Sequence, residues 1–203
     1  MTSSIAVVPT GTANLASVVG AFQRLGVEPV VTQSATAIAS ADGVVVPGVG
    51  TFGAAMGALK EGGLGAEVRQ RIAADRPTLM ICVGFQVIAE TSTEDPGVEG
   101  LGVLQSSVER LPGTVSVPQL GWNAVSAPQG SRFMESGWAY FANSYAVSAV
   151  PDGWKTASFD HGGTFVAAVE RGNVLGCQFH PELSGAWGSR VLDSWLDTVK
   201  EVA

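Results

Sequence analysis

The sequence predicts an α/β fold: a mixed, mostly parallel central sheet with helices on both faces, extended by antiparallel strands in the C-terminal half. Three observations predict it. Unbroken apolar runs alternate with helical patterns through the first half, as strands covered on both faces require. Short strands follow one another with Gly and Pro turns in the second half. Only 14% of the 203 residues are charged and 46% are hydrophobic, enough to fill a sizeable core in what reads as a single domain over residues 1–203.

Residues 4–8 read as the first strand. Leu15, Val18, Val19, Phe22 and Leu25 recur at i, i+3, i+4 and i+7 and so predict an amphipathic helix. Residues 28–32 are the second strand and 43–46, with the unbroken Val44-Val45-Val46, the third. Phe52, Ala55, Met56 and Leu59 repeat the helical spacing. Residues 78–81 form a fourth strand, Cys82-Val83-Gly84 a turn, and 85–91 a helix. Strand–helix–strand alternation implies right-handed crossovers and a largely parallel sheet. Beyond Gly102 the pattern changes to short strands at 103–109, 138–147, 154–158, 165–170 and 174–179, with a Gly-containing turn at 159–164. A last helix, 185–199, carries Val191, Leu192, Trp195 and Val199 on one stripe.

Charge and composition exclude several functions. With 18 acidic against 11 basic side chains the net charge is −7, the wrong sign for a nucleic-acid-binding surface, so no nucleic-acid partner is expected. No apolar run is long enough to span a membrane, and the start MTSSIAVVPT lacks the basic residues and long apolar stretch of a secretory signal; a cytoplasmic protein is expected. Two cysteines make neither a disulfide framework nor a zinc site.

Chemistry in such sheets gathers beyond the carboxyl ends of the strands. Cys82 stands there, on a strand-to-helix turn that thrusts one side chain out at the top of the sheet. A helix N-terminus behind it would favour a thiolate and help hold an oxyanion. The turn alone leaves open whether Cys82 is a nucleophile or a small core residue. Cys177, mid-strand with no turn after it, reads as structural. A cysteine nucleophile needs a base, and the chain has two histidines. His161 falls in a Gly-rich turn and reads as solvated. His180 ends a strand and is followed by Pro181 and Glu182; in an extended His-x-Glu both side chains project to the same side, so the carboxylate can orient the imidazole. The Gly-rich turn Pro47-Gly48-Val49-Gly50-Thr51, one strand before the cysteine strand, offers backbone N–H groups for an oxyanion.

Together these pieces resemble a class I glutamine amidotransferase, with its flavodoxin-like sheet. The likeness runs through Ala41 to Gly53, Ile81-Cys82-Val83-Gly84-Phe85-Gln86, Leu120-Gly121-Trp122-Asn123, Tyr140 to Tyr145, Val166 to Asn173 and Gln178-Phe179-His180-Pro181-Glu182. Gly121-Trp122-Asn123 and the stretch 47–53 point within that family to the HisH type, the glutaminase subunits of imidazole glycerol phosphate synthase. The resemblance implies that Cys82, His180 and Glu182 hydrolyse L-glutamine to glutamate and ammonia, without cofactor or metal. It implies an oxyanion site at Val49, Gly50 and Val83, and substrate contacts at Gly48, Gln86, Glu94, Asn143, Ser144 and Tyr145. It further implies docking through Asn14, Trp122, Asn123, Tyr140 and Leu183 on a (β/α)8-barrel HisF cyclase subunit, which receives the ammonia.

Six residues in five places depart from that family's pattern. Pro9-Thr10-Gly11 stands where Asp-Tyr-Gly is usual, Met80 where a glycine precedes the nucleophile, and Asn143 where a histidine opens His-Ser-Tyr. Leu183 replaces a lysine after His-Pro-Glu, and Gln119 a histidine before Gly-Trp-Asn. Met80 is expected to crowd the turn. Two other readings share these residues: a divergent paralogue serving another synthase, and a catalytically silent docking subunit.

Overall fold

A computed structural model of the chain describes residues 3–11 and 14–202. The first half lays down β1 (Ile5–Val7), α1 (Leu15–Arg24), β2 (Val30–Val31), α2 (Ala35–Ser40), β3 (Gly43–Gly48), α3 (Phe52–Lys60), α4 (Leu64–Ala73) and β4 (Thr78–Cys82). After a single turn of helix, α5 (Val83–Gln86), come β5 (Ala89–Ser92), β6 (Leu104–Arg110), β7 (Gln119–Val125), β8 (Gly137–Asn143) and β9 (Tyr145–Val147). The chain ends with β10 (Lys155–Asp160), β11 (Thr164–Arg171), β12 (Val174–Cys177) and α6 (Gly185–Val202).

Seven strands make the central sheet, in the order β10-β11-β12-β4-β3-β1-β2. The pairs from β12 through β2 are parallel, while β11 is antiparallel to both β10 and β12. This is the mixed, mostly parallel sheet expected. Every residue of β3, β4 and β12 is buried, because helices cover both faces. On one face α1 meets α6 through Phe22 and Trp195, edge to face with ring centroids 6.0 Å apart; α3 and α4 pack together elsewhere. The helices begin where capping side chains allow: Asn14 accepts from Ser17 N at 3.3 Å and Thr51 from Ala54 N at 3.2 Å. Smaller sheets, β5-β6-β9 and β7-β8, hang on the C-terminal side.

Several expectations need correction. The helix expected over 85–91 is one turn only. Past Gln86 the main chain turns its carbonyls to the segment 101–103: Val87 O accepts from Leu101 N at 2.8 Å and Ile88 O from Val103 N at 2.8 Å. Those acceptors are lost to a continuing helix, and β5 takes its place. The single strand expected at 138–147 is two, β8 and β9, belonging to different sheets. The second strand shrinks to Val30–Val31 at the sheet edge, and α2, α4 and β7 are additional. Helix α4 hides in the sequence because its buried stripe Leu64, Val68, Arg71, Ile72 contains an arginine. The Arg71 guanidinium donates to the main-chain oxygens of Ile38, Ala41, Asp42 and Pro77 at 2.8–3.1 Å, and burial lowers its pKa to about 10.

Candidate active site

Strand β4 lies between β3 and β12, all three parallel, so their carboxyl ends open on one place. Gly48, the end of β3, is the register partner of Cys82, the end of β4. On the other side Cys177 pairs with Ile81, which delivers His180 three residues later to the same rim. The sheet alone therefore gathers the glycine turn, the cysteine and the histidine.

Cys82 has φ 55° and ψ −112°, a backbone conformation that L residues rarely adopt. This is the sharp turn the sequence predicts. It closes because two glycines leave no side chains: a Cβ on Gly84 would sit 1.9 Å from Val46 O, and one on Gly48 2.6 Å from Gly84 N. Met80 is buried within β4, and its register partner in β12 is Gly176, which brings no side chain of its own. The space over Gly176 is taken by the Phe85 ring, 2.4 Å from where a Cβ would stand.

His180 is buried and held from three sides. Its main-chain N–H donates to Tyr140 O at 2.9 Å, its carbonyl accepts from Ser184 Oγ at 2.6 Å, and Nδ1 lies 2.8 Å from Glu182 Oε1. The expected pairing of His180 with Glu182 is present, though not through an extended chain. β12 stops at Cys177, and Pro181–Leu183 form a 3-10 turn that folds the carboxylate back under the ring. Burial pulls the His180 pKa down, but hydrogen bonds to Cys82 and Glu182, together with the charges of both, more than offset it and raise it to about 10. The Cys82 sulfur and the Glu182 carboxylate thus both favour the charged imidazole. The other oxygen of Glu182 is buried and has no hydrogen-bond partner among the described residues.

A cleft of about 140 Å³ opens at the sulfur, lined by Val49, Gly50, Cys82, Val83, Gln86, Glu94, Pro118, Ala142, Asn143, Ser144 and Tyr145. All the expected oxyanion residues are in its wall, as are five of the six expected substrate contacts; Gly48 lies behind the turn. Gly50 takes φ +97°, open to glycine but strained for other residues. Gln86 Nε2 and Asn143 Nδ2 both donate to Tyr145 O, at 2.8 and 3.0 Å. Glu94 accepts from Phe52 N at 2.9 Å, at the start of α3; burial raises its pKa, the Phe52 bond opposes that, and Asp95 adds to it.

Three contributors escaped the sequence reading. Gln178, buried, places Nε2 3.8 Å from Cys82 Sγ; its position two before His180 in an extended chain is the signal that would have found it. Ser184 ties His180 to β8, since Tyr140 N donates to its Oγ at 2.9 Å. Thr10, one of the departures, is buried and donates to Pro47 O at the base of the glycine turn. The other residues fall as expected or are clarified. Burial pushes the Cys177 thiol well above its ordinary range, with the Glu182 and Glu170 charges adding to it, which suits a structural cysteine. His161 lies away from the cleft, its Nε2 at 2.8 Å from Ser116 O.

The expected docking residues are exposed or, for Asn123 and Tyr140, half-buried. Trp122 is 56% exposed, so it is no core aromatic, and it meets Tyr140 edge to face. Leu183 and Asn14 are exposed as well. Asn123 spends its side chain internally, donating to Asp160 O and accepting from Ala124 N, both at 2.7 Å.

Comparison with known proteins shows the family and the fold. The model of the family described as glutamine amidotransferase class-I matches residues 7–197. The imidazole glycerol phosphate synthase subunit HisH of Symbiobacterium thermophilum is 44% identical, covering 94% of this chain and 92% of its own. That of Oceanobacillus iheyensis is 36% identical over 97% and 100%. Among solved structures, a glutamine amidotransferase superposes with a TM-score of 0.77 at 22% identity, covering 96% of this chain and 98% of its own. The structure of PurLQS from Thermotoga maritima gives 0.74 at 18%, covering 97% and 99%. Likeness at such identities speaks for the fold.

Proposed function

The chain belongs to the class I glutamine amidotransferase family, and from that premise we propose that it is the glutaminase subunit of an imidazole glycerol phosphate synthase. The whole chain acts as one domain that hydrolyses L-glutamine and hands the ammonia to a HisF cyclase, which makes imidazole glycerol phosphate and aminoimidazole carboxamide ribotide for histidine biosynthesis. The subunit works in the cytoplasm, a setting that suits its two unpaired cysteines. One observation carries the reading: both strands flanking β4 bring chemistry to Cys82, the Gly48 turn from one side and the Glu182-held His180 from the other.

In the first half-reaction the Cys82 sulfur attacks the side-chain amide carbon of glutamine. The negative charge that gathers on the carbonyl oxygen is met by main-chain N–H groups of Val49, Gly50 and Val83. His180, which holds the thiol proton, gives it to the departing nitrogen, so ammonia leaves and a γ-glutamyl thioester remains. Thioester formation removes the charge on sulfur, one of the supports that kept His180 protonated. The imidazole is then free to take a proton from water, whose oxygen attacks the thioester; collapse returns the sulfur and releases glutamate. Glu182 keeps the ring aligned throughout. Gln86, Glu94, Asn143, Ser144 and Tyr145 form the wall that receives the amino-acid end of the substrate.

The relatives' names favour HisF as partner over another synthase, and docking is assigned to the rim carrying Asn14, Trp122, Asn123, Tyr140 and Leu183. The test is glutamate release with and without a co-purified HisF subunit and its nucleotide ligand. Low activity alone, a large increase in the complex, and complete loss in Cys82→Ala with the complex intact are the expected results. Glutamate release by Cys82→Ala at the parent's rate would remove the nucleophile. Full activity in isolation with no association would point to another synthase.

A further inference from the structure

We propose that Gln178 is a further catalytic residue: its side-chain amide donates to the Cys82 sulfur and holds the nucleophile for attack. This rests on the glutaminase reading and adds to it a group that neither the turn nor the His180–Glu182 pair supplies.

The chain of bonds starts from an atom that can only accept. Tyr145 O receives Gln86 Nε2 at 2.8 Å, so Gln86 presents its NH2 end to that wall. The same nitrogen lies 2.9 Å from the next amide, that of Gln178, and a donor facing it requires the atom there to be Oε1. With its oxygen committed, Gln178 turns its nitrogen to Cys82, 3.8 Å from Sγ. The flip of a carboxamide, ambiguous by itself, is thus set by a main-chain carbonyl two links away. Gln178 is fully buried, and its main-chain N–H is fixed to Ala167 O at 2.8 Å. A flipped or displaced amide would leave a buried N–H unpaired, which is costly.

A neutral donor complements the histidine. His180 gives its proton to ammonia and is then uncharged, whereas Gln178 stays on the sulfur through every step. It stabilises the charged sulfur before attack and again when the thioester collapses. The titratable groups around this sulfur are His180 and Glu182 from the turn after β12, Glu94 from beyond β5 and Tyr145 of β9.

The experiment is iodoacetamide alkylation of Cys82 as a function of pH in the parent, Gln178→Leu and Gln178→Glu, with Cys82→Ser giving the background from Cys177. Loss of the donor in Gln178→Leu raises the alkylation midpoint by about one pH unit and lowers kcat about tenfold with KM little changed. Gln178→Glu keeps the size and the acceptor for Gln86 but sets a carboxylate beside the sulfur, and raises the midpoint further. Parent-like midpoints and kcat in folded variants overturn the proposal; if the leucine variant does not fold, the glutamate variant decides alone. Alkylation needs no glutamine, so a parent that alkylates normally but releases no glutamate would fail the glutaminase reading by itself.

Discussion

At the scale of the residue, the chemistry turns on where one proton rests. His180 has its pKa raised to about 10 from the ordinary 6.5 by Cys82 and Glu182, against the downward pull of burial. Because the folded value lies above the unfolded one, the imidazolium stabilises the fold fully below about pH 6.5, and this contribution is lost as pH rises through about 10. The difference in urea midpoint between the parent and His180→Asn should therefore shrink steadily across that window; a difference that grows with pH would reverse the assignment. Glu182 supplies part of the shift through its 2.8 Å bond to Nδ1. Replacing it with Gln removes the charge but keeps the shape. Glutamine hydrolysis should fall by about 100-fold or more, and the alkaline limb of the kcat profile should move toward neutrality. A fall with an unmoved limb would make Glu182 a packing residue.

Among the elements, those legible in the sequence are the ones that local pattern dictates. The apolar runs of β1, β3, β4 and β12 announce themselves because buried parallel strands need no alternation, and the cysteine turn is visible as a strand meeting Gly84. The extent of α5 was not visible, because its end is set by pairing with the distant 101–103 segment rather than by any breaker at 87. The split of β8 from β9 is likewise a tertiary decision, since the two lie in different sheets. His180 and Glu182 were legible as a pair, but the turn that joins them was misread as extended strand. Two elements yield predictions. Gly84→Ala forces a Cβ against Val46 O, so the elbow must open; a stability loss of about 2 kcal/mol or more should accompany near-complete loss of hydrolysis. Arg71→Met removes the guanidinium from the Ile38, Ala41, Asp42 and Pro77 oxygens, of which Ala41 O keeps Arg76 Nη2 and Pro77 O keeps Val44 N. Its denaturation midpoint should drop by the equivalent of about 3 kcal/mol, while the folded fraction keeps the parent kcat. A parent-like midpoint would mean that water replaces the guanidinium.

For the whole molecule, the question is how the proposed glutaminase site would be coupled to the proposed cyclase partner. The outward face of β7 and β8 carries Leu120, Trp122 and Trp138 at 68%, 56% and 62% exposure, an apolar concentration that a surface seldom leaves uncovered. Leu183, on the turn carrying Glu182, is 39% exposed where the family's lysine would place a charge. This face is not remote from the chemistry. Tyr140 of β8 accepts the His180 N–H and donates to Ser184, which in turn bonds the His180 carbonyl. These bonds tie the hairpin to the main chain of His180. If the proposed cyclase docks on this apolar face, Trp122→Ala should weaken the association by about 30-fold or more, the range of a buried aromatic anchor. Leu183→Lys should do little at high salt and show its effect at low salt, where an added charge is unscreened. Titration calorimetry at two ionic strengths separates the two. If Trp122→Ala binds like the parent while Leu183→Lys alters affinity equally at both, the partner engages the 3-10 turn rather than the hairpin, and the coupling runs through Glu182 instead of Tyr140.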